Sequence, residues 1–337
     1  MQAIEIKNLN FVYSKKTPYE KHALTDINLS VEEGTFLGLV GATGSGKSTL
    51  IQHLNGLIKL QDKKRSSVVV NGMSVTDKKY LKKLRFEVGM VFQYPEYQLF
   101  EDTVAKDVAF GPKNMKLDKD EIDCRVRRAL EVVGLDYDRF AERSPFDLSG
   151  GEKRRVAIAG VIAMQPKVLV LDEPVAGLDP VGREEILALV KKLQKEVSPT
   201  VIIVSHNMDD MALIADRIVA LKDGKIVADG TPKEVFGNRN LIVDAGLDLP
   251  TATRLTDTLI ARGVPLKRDI VTMDELANEL GKILSSKCAQ VSDEHDGLDE
   301  NGGLDEYSDG ETDDLIDEYS DEEIDDNGYA DGEDDDV

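Results

Sequence analysis

The stretch that decides the fold reads Gly41-Ala42-Thr43-Gly44-Ser45-Gly46-Lys47-Ser48. It satisfies the spacing G-x-x-x-x-G-K-S, in which glycines allow backbone N–H groups to close around phosphate oxygens. In such a loop Lys47 neutralises the outer phosphates and the Ser48 hydroxyl ligates magnesium. The loop follows a compact apolar run at 35–40 and leads into a helix expected to begin near Lys47. This order of strand, loop and helix predicts a phosphate site.

Outward from the loop, the hydrophobic pattern predicts an α/β fold. The first thirty-odd residues alternate in strand fashion around a turn-rich stretch at 15–20, which indicates an antiparallel β edge layer. The runs 168–171 and 201–204 are apolar on both faces, as in the middle of a helix-covered parallel sheet, and a helix is expected between them at 182–195. We therefore predict a P-loop NTPase with a mixed or parallel sheet core and a helical insertion at about 95–165.

Three further helical segments bear on domain organisation. Residues 118–121 have the pattern of a capping box, and apolar residues at helical spacing follow as far as Gly134. Beyond about residue 245, the segments 251–262 and 273–285 read as two helices outside the main fold. We predict a nucleotide-binding domain over 1–245, a small C-terminal helical region over 246–290 and an acidic disordered tail over 291–337.

The charge of the chain is concentrated in that tail. The formal net charge is −22, but residues 291–337 hold 23 Asp or Glu and no Lys or Arg, which leaves 41 acidic against 42 basic residues in 1–290. The tail is too poor in apolar residues to offset the entropy of ordering, so disorder is expected. A solvated solubilising tail is the plain interpretation; weak cation binding and an interaction arm stay open.

Composition also bears on the cellular compartment. The N-terminal residues have no basic start followed by an apolar stretch, so we expect no secretory signal. No window approaches the length of an apolar membrane span. With only Cys124 and Cys288 in the sequence, neither a disulfide framework nor a zinc site is supported, and a reducing cytosol fits.

Two adjacent carboxylates, Asp172 and Glu173, follow the apolar run 168–171. Ionised carboxylates at the end of a strand in a buried sheet cost free energy, so they are expected there only where a cation or a reaction uses them. We interpret Asp172 as a magnesium ligand and Glu173 as the residue that polarises the attacking water. An apolar run that ends in Asp-Glu is weak evidence alone, but the phosphate loop in the same chain strengthens it.

The segment Leu148-Ser149-Gly150-Gly151-Glu152 opens a helix and presents a hydroxyl, two bare amides and a helix N-terminus toward an anion. Taken alone, Ser-Gly-Gly is usually just a turn. Between the phosphate loop and the magnesium aspartate, however, it resembles the signature of the ATP-binding cassette (ABC) family. The resemblance implies a head-to-tail dimer, in which the signature of one subunit contacts the nucleotide held by the other.

The resemblance implies roles for other residues and implies ATP and Mg²⁺ as cofactors. Gln93 would sense magnesium and the lytic water while coupling to a membrane partner, and His206 would hold the γ-phosphate and position Glu173. Tyr13 resembles the aromatic residue that stacks on adenine, although a tyrosine in an edge strand also fits simple packing. The implied metal ligands are Ser48, Gln93 and Asp172. The implied nucleotide contacts are Tyr13, Gly41, Ala42, Thr43, Gly44, Ser45, Gly46, Lys47, Ser48, Thr49, Ser149, Gly150 and Gly151.

One further motif agrees with the family, and two features depart from its pattern. Residues 177–180, Gly-Leu-Asp-Pro, resemble the dimer-contact loop of the family. Glu152 stands where the family commonly has Gln, and the stretch 61–70 lacks the usual Pro and Gly. The acidic tail lies outside the family pattern, so the resemblance implies nothing about it.

The segment 92–114 discriminates further among cassettes. The run Phe92-Gln93-Tyr94-Pro95-Glu96-Tyr97-Gln98-Leu99-Phe100 and its continuation to Asn114 resemble energy-coupling factor (ECF) ATPases. Residues 17–24 and 144–148 further resemble the second of the two paralogues that pair in such complexes. The resemblance implies a subunit that powers uptake of vitamins or metal ions. Its implied partners are a second, paralogous ATPase, a transmembrane coupling subunit and substrate-binding membrane subunits, which would hold it at the cytoplasmic face of the cell membrane.

Other functions stay open at this point. One is the ATPase of a conventional ABC transporter, against which only the resemblance of 92–114 argues. Another is a soluble ABC factor in translation or DNA repair, but such factors usually carry two cassettes or a long coiled-coil insertion. This sequence has one set of motifs and no basic patch, so we expect no nucleic-acid partner. A cassette that only binds ATP is disfavoured because Glu173 and His206 are both present.

Overall fold

A computed structural model describes the backbone of residues 1–295 and the side chains of residues 1–285. Met1–Ser286 form one compact unit; of the second unit, Lys287–Val337, only the end of the last helix is described. The predicted acidic tail at 291–337 therefore lies almost wholly outside the described residues. Among the described residues, no helix combines the length and apolar character that crossing a membrane requires.

Within the described residues, ten strands form two sheets. In chain order the strands are β1 Gln2–Tyr13, β2 Lys21–Glu32, β3 Phe36–Gly41, β4 Ser67–Val70, β5 Met73–Ser74, β6 Val88–Val91, β7 Val168–Asp172, β8 Thr200–Val204, β9 Arg217–Lys222 and β10 Lys225–Gly230. The first sheet is antiparallel, in the order β2-β1-β4-β5. The second has the order β10-β9-β3-β8-β7-β6 and is parallel except for β10. Both the predicted edge layer and the mixed sheet core are confirmed.

Each face of the parallel sheet has its own core. In β3, Leu37 and Leu39 pack toward the antiparallel sheet, whereas Phe36 and Val40 pack toward the helices. The same alternation divides β7, because successive side chains of a strand point to opposite faces. A strand covered on both sides has no solvent face, which explains why these runs are apolar throughout.

Helices connect and cover the strands. They are α1 Lys47–Leu54, α2 Leu81–Glu87, α3 Val104–Val108, α4 Phe110–Asn114, α5 Lys119–Val132, α6 Tyr137–Phe140, α7 Gly150–Ile162, α8 Pro180–Glu196, α9 Met208–Ile214, α10 Pro232–Gly237, α11 Arg239–Asp244, α12 Thr251–Ala261 and α13 Met273–His295, with 3-10 turns at Pro95–Gln98 and Pro145–Asp147. Helices α3 to α7 lie between β6 and β7 in the chain, in the segment predicted as a helical insertion. The domain limits at 245 and 290 stay predictions.

The capping box predicted at 118–121 is wrong in its second half. The Asp118 side chain accepts a hydrogen bond from the Glu121 N–H, at 2.9 Å. The Glu121 carboxylate, however, pairs with Arg125 one turn further along α5, at 2.6 Å. Reciprocal capping boxes lie instead at α7, between Ser149 and Glu152, and at α10. The Glu121 carboxylate therefore forms an ion pair with Arg125 on the same helix and does not cap the helix as the pattern predicted.

Candidate nucleotide site

The glycine-rich loop lies between β3 and α1, as its spacing predicts. Gly44 and Gly46 have φ angles of 83° and 105°, a region that side chains disfavour. A Cβ on Gly46 would lie 2.4 Å from the carbonyl oxygen of Ala23 in β2. The Gly224 N–H, in the turn between β9 and β10, donates to the Ser45 carbonyl at 3.0 Å. Neighbouring strands therefore hold the loop closely from two sides.

Lys47 is buried at the start of α1. Its ammonium donates to the carbonyl oxygens of Gly41 and Ala42, at 2.6 and 3.1 Å. Burial lowers the pKa of Lys47, and the negative charges of Glu173 and Asp172 oppose that shift. An ammonium held among carbonyls and carboxylates can move onto an entering phosphate without leaving the site.

The carboxyl ends of parallel strands meet at one sheet edge, which brings Asp172 beside the loop. Asp172 ends β7 and pairs in register with Val204, the last residue of β8. Burial raises the pKa of the Asp172 carboxyl, while a hydrogen bond from the Ser48 side chain opposes that shift. A desolvated carboxylate next to a hydroxyl is a hard oxygen set, the kind that Mg²⁺ prefers to complete with phosphates and water. The described residues contain no cluster of three or more His, Cys, Asp or Glu that could hold a metal unaided.

Glu173 and His206 contact each other directly. His206 Nδ1 lies 2.6 Å from a carboxylate oxygen of Glu173. Glu173 adopts φ 52°, and its N–H donates to the Val204 carbonyl of β8 at 3.0 Å. The Glu173 side chain is 16% exposed and that of His206 73%. A shielded carboxylate is therefore oriented by an imidazole that faces the open side of the site.

Tyr13 lies at the other end of the loop. Its hydroxyl is 3.1 Å from the Thr49 hydroxyl, and its ring packs edge-on against Phe11 with centroids 4.8 Å apart. The side chain is 41% exposed and borders a cavity of about 150 Å³ together with the loop. Both the stacking and the packing interpretations of Tyr13 are compatible with this position.

Sequence reasoning missed Lys21, which borders the same cavity. Lys21 pairs in register with Tyr13, and its ammonium lies 3.6 Å from the position of a Cβ on Gly44. The signal that could have found it is pairing across the β1–β2 turn, which places the residue opposite Tyr13 on the same side of the sheet.

The remaining predicted residues are exposed and belong to other segments of the chain. Gln93 is exposed two residues after the end of β6, and Ser149 to Gly151 are exposed at the N-terminus of α7. In the part of the chain that the structure describes, no hydrogen bond joins either group to 41–49. Glu152 caps α7 by accepting from the Ser149 N–H at 2.9 Å, and that hydrogen bond is the main cause of its lowered pKa.

Arg154, also missed, is 2% exposed inside α7 and contacts Glu96. It shares helical spacing with Ile158 and Ile162, two buried apolar residues. Because residues four apart share one face of a helix, this spacing in the sequence already indicated that Arg154 lies on the buried face of α7.

Comparisons with known proteins agree with this geometry. A family model described as "ABC transporter" matches residues 24–176. The chain is 49% identical over 287 residues to the energy-coupling factor transporter ATP-binding protein EcfA2 of Clostridium tetani, covering 85% of this chain and 99% of that one. It is 50% identical over 283 residues to EcfA2 of Clostridium perfringens, covering 84% and 98%.

Solved structures show the same fold. cbiO1 of Clostridium perfringens, described as part of the ABC transporter complex cbiONQ, superposes with TM-score 0.64 at 40% identity, covering 76% of this chain and 99% of that one. The ATP-binding cassette MJ0796, as a dimer bound to ADP and Pi, superposes with TM-score 0.59 at 31% identity, covering 68% and 98%.

Proposed function

The chain belongs to the ATP-binding cassette family and, within it, to the ATP-binding proteins of energy-coupling factor transporters, and from this premise we propose how its residues work. It is a transport ATPase. We propose that its ATP hydrolysis requires Mg²⁺ and powers uptake of vitamins or metal ions. The relatives' names favour this function over a conventional ABC transporter or a soluble factor.

The observation that carries the proposal is the 2.6 Å contact between Glu173 and His206 at the sheet edge that also bears Asp172. Glu173 accepts a proton from the water that attacks the γ-phosphate, and His206 holds that carboxylate in place. Lys47 exchanges its carbonyl partners for phosphate oxygens. Asp172, Ser48 and Gln93 would hold a magnesium ion, which would neutralise negative charge on the phosphates.

A second cassette completes each site. Ser149, Gly150 and Gly151 are exposed, and a Cβ on either glycine would meet nothing within 4 Å. Backbone amides that are open at a helix N-terminus suit an anion brought by another subunit. We assign them to the nucleotide held by a paralogous ATPase. The dimeric MJ0796 structure supports a pairing of two cassettes.

An apolar groove provides a surface for the transmembrane coupling subunit. It has a volume of about 340 Å³, and Phe100 and Phe110 line it with ring centroids 5.0 Å apart. These rings are 56% and 49% exposed, which is unusual for phenylalanine unless a partner covers them. The groove lies next to the Gln93 segment in the chain. Its occupation would hold the chain at the cytoplasmic face of the membrane, together with the substrate-binding subunits.

Replacing Glu173 by Gln tests the catalytic assignment. The variant should bind ATP as the wild type does, while turnover at this site falls by about 10²–10⁴-fold, the contribution expected of a general base. Turnover is measured in a complex whose partner site has been inactivated, so that only this site contributes. Glu184→Gln, an exposed carboxylate on α8, is the matched control. Unchanged turnover in Glu173→Gln would remove the residue from the mechanism.

Replacing Phe100 by Ser tests the docking surface. Fewer membrane subunits should co-purify with the tagged chain, because the groove loses an exposed ring. Tyr19→Ser, which removes a ring that is 84% exposed in the β1–β2 turn, should leave recovery unchanged. Equal recovery with Phe100→Ser would exclude this groove as the contact.

A further inference from the structure

Arg154 makes a dense set of contacts for a buried side chain. Its Nε and Nη2 donate to the two carboxylate oxygens of Glu96, at 3.1 and 2.8 Å. Its Nη1 donates to the carbonyls of Pro174 and Ala176, at 3.1 and 3.0 Å, and its Nη2 also reaches the Ala176 carbonyl at 3.0 Å. One planar guanidinium therefore joins three separate chain segments, a geometry that a lysine ammonium cannot reproduce.

Stability alone does not explain this arrangement. Desolvating a guanidinium and a carboxylate offsets much of their mutual attraction, so a well-packed apolar pair often stabilises a core equally well. The Arg154 side chain is 2% exposed and the Glu96 side chain 16%. A buried ion pair of this kind fixes the relative placement of the segments that it joins, because few alternative arrangements satisfy all its hydrogen bonds.

Each joined segment carries a residue of the proposed mechanism. Arg154 lies in α7, about one and a half turns after Ser149. Pro174 follows Glu173 directly and Ala176 lies two residues further on. The Ala176 N–H donates to the Glu173 carbonyl at 3.1 Å, which closes that turn. Glu96 lies in the 3-10 turn three residues after Gln93.

We propose that Arg154 and Glu96 are positioning residues that couple the two nucleotide sites of the ATPase pair to the Gln93 segment. The inference rests on the proposed function. Through Pro174 and Ala176, Arg154 fixes the turn that orients Glu173 in this chain's own site. Through α7, it fixes the signature that completes the partner's site. Glu96 makes the position of the Gln93 segment depend on both.

The test uses the assembled complex in two backgrounds, each with one working site. In the first, the partner's catalytic carboxylate is replaced, so that only the site containing Glu173 turns over. In the second, Glu173→Gln leaves only the partner's site, which this chain completes with its signature. Glu96→Gln and Arg154→Lys are introduced into both backgrounds. The kcat and KM for ATP, the ATP affinity of the chain and its thermal midpoint are measured.

We expect each variant to lower kcat at least about tenfold in both backgrounds, because a small misplacement of reacting groups slows turnover strongly, while ATP affinity stays within about twofold of wild type. The kcat of the double variant should be no lower than that of the less active single variant, because Arg154→Lys already disrupts the contact that Glu96→Gln removes. Glu185→Gln is the control. Glu185 lies on α8 and pairs at 2.6 Å with Arg155, the neighbour of Arg154 on α7. Removing this pair should leave kcat unchanged at both sites.

Unchanged kcat in either background overturns the coupling. So does a fall in kcat that only parallels lost ATP affinity or a lowered thermal midpoint, which would mark the pair as purely structural. Independent, multiplicative effects of the two variants would also overturn it. If the complex hydrolyses no ATP in either background while Arg154 and Glu96 are unchanged, the proposed function itself is wrong, and the inference fails with it.

Discussion

Gly46 is the position where the phosphate loop tolerates least change. Its backbone has φ 105° and ψ 2°, and a Cβ there would lie 2.4 Å from the Ala23 carbonyl oxygen and 3.0 Å from a methyl group of Leu24. The obstructing atom at 2.4 Å belongs to the backbone of β2, so rotating a side chain cannot relieve the contact. Gly46→Ala must therefore shift either β2 or the loop itself.

The expected cost follows from two contributions. A non-glycine residue in a left-handed conformation costs roughly 1–2 kcal/mol. Forcing an extra methyl into a packed site adds about 1–3 kcal/mol. The sum, about 2–5 kcal/mol, is a large part of the 5–15 kcal/mol that typically stabilises a domain. If the loop distorts instead, the same energy would weaken ATP binding by about thirtyfold or more, at 1.4 kcal/mol per factor of ten.

Gly44→Ala provides the matched comparison. Gly44 has φ 83°, but a Cβ there meets only the flexible end of Lys21, at 3.6 Å. It should therefore show the conformational cost alone, roughly 1–2 kcal/mol. Urea unfolding and titration with a fluorescent ATP analogue measure both quantities. Equal effects of Gly44→Ala and Gly46→Ala would refute the steric argument, because the two sites differ chiefly in the space around them.

Further predictions concern the charges around the loop. Lys47→Ala should weaken ATP binding by about 10–100-fold, the value of a charge-assisted hydrogen bond, and unchanged affinity in a binding titration would contradict its assignment. Lys21→Met should weaken ATP binding by at most about fivefold, since an exposed cation is screened, and it should leave adenosine binding unchanged. Because burial raises the pKa of Asp172, its ionisation destabilises the nucleotide-free fold as the pH rises from the ordinary aspartate pKa through the raised value. Asp172→Asn should therefore raise the thermal midpoint at neutral pH while abolishing Mg²⁺-dependent turnover, and a lowered midpoint would count against this account of the carboxyl.

The folded structure departs from the local pattern where a side chain had more than one possible partner. Glu121 and Glu152 both stand three residues after a capping residue, yet only Glu152 closes its box. Glu121 instead finds Arg125 on the next turn of α5. Both choices satisfy local helical geometry, so the spacing of the cap could not distinguish them.

The sequence by itself determined the features that depend on contiguous residues. Gly41 to Ser48 had to form a phosphate loop because the glycines, the lysine and the hydroxyl act within one turn. The apolar runs 168–171 and 201–204 had to become central strands, because they contain no polar side chain that could face solvent. The position of Asp172 and Glu173 at the edge of the sheet followed from the end of such a run.

Only the tertiary structure decided which distant groups meet. Arg154 contacts Glu96, 58 residues earlier, and the carbonyls of Pro174 and Ala176, 20 and 22 residues later. Lys21 reaches the loop because β1 and β2 pair in a particular register. The physical reason is that local spacing fixes the direction of a side chain from its own element, whereas a contact also requires the relative placement of two elements. The packing of the sheets and helices as a whole sets that placement.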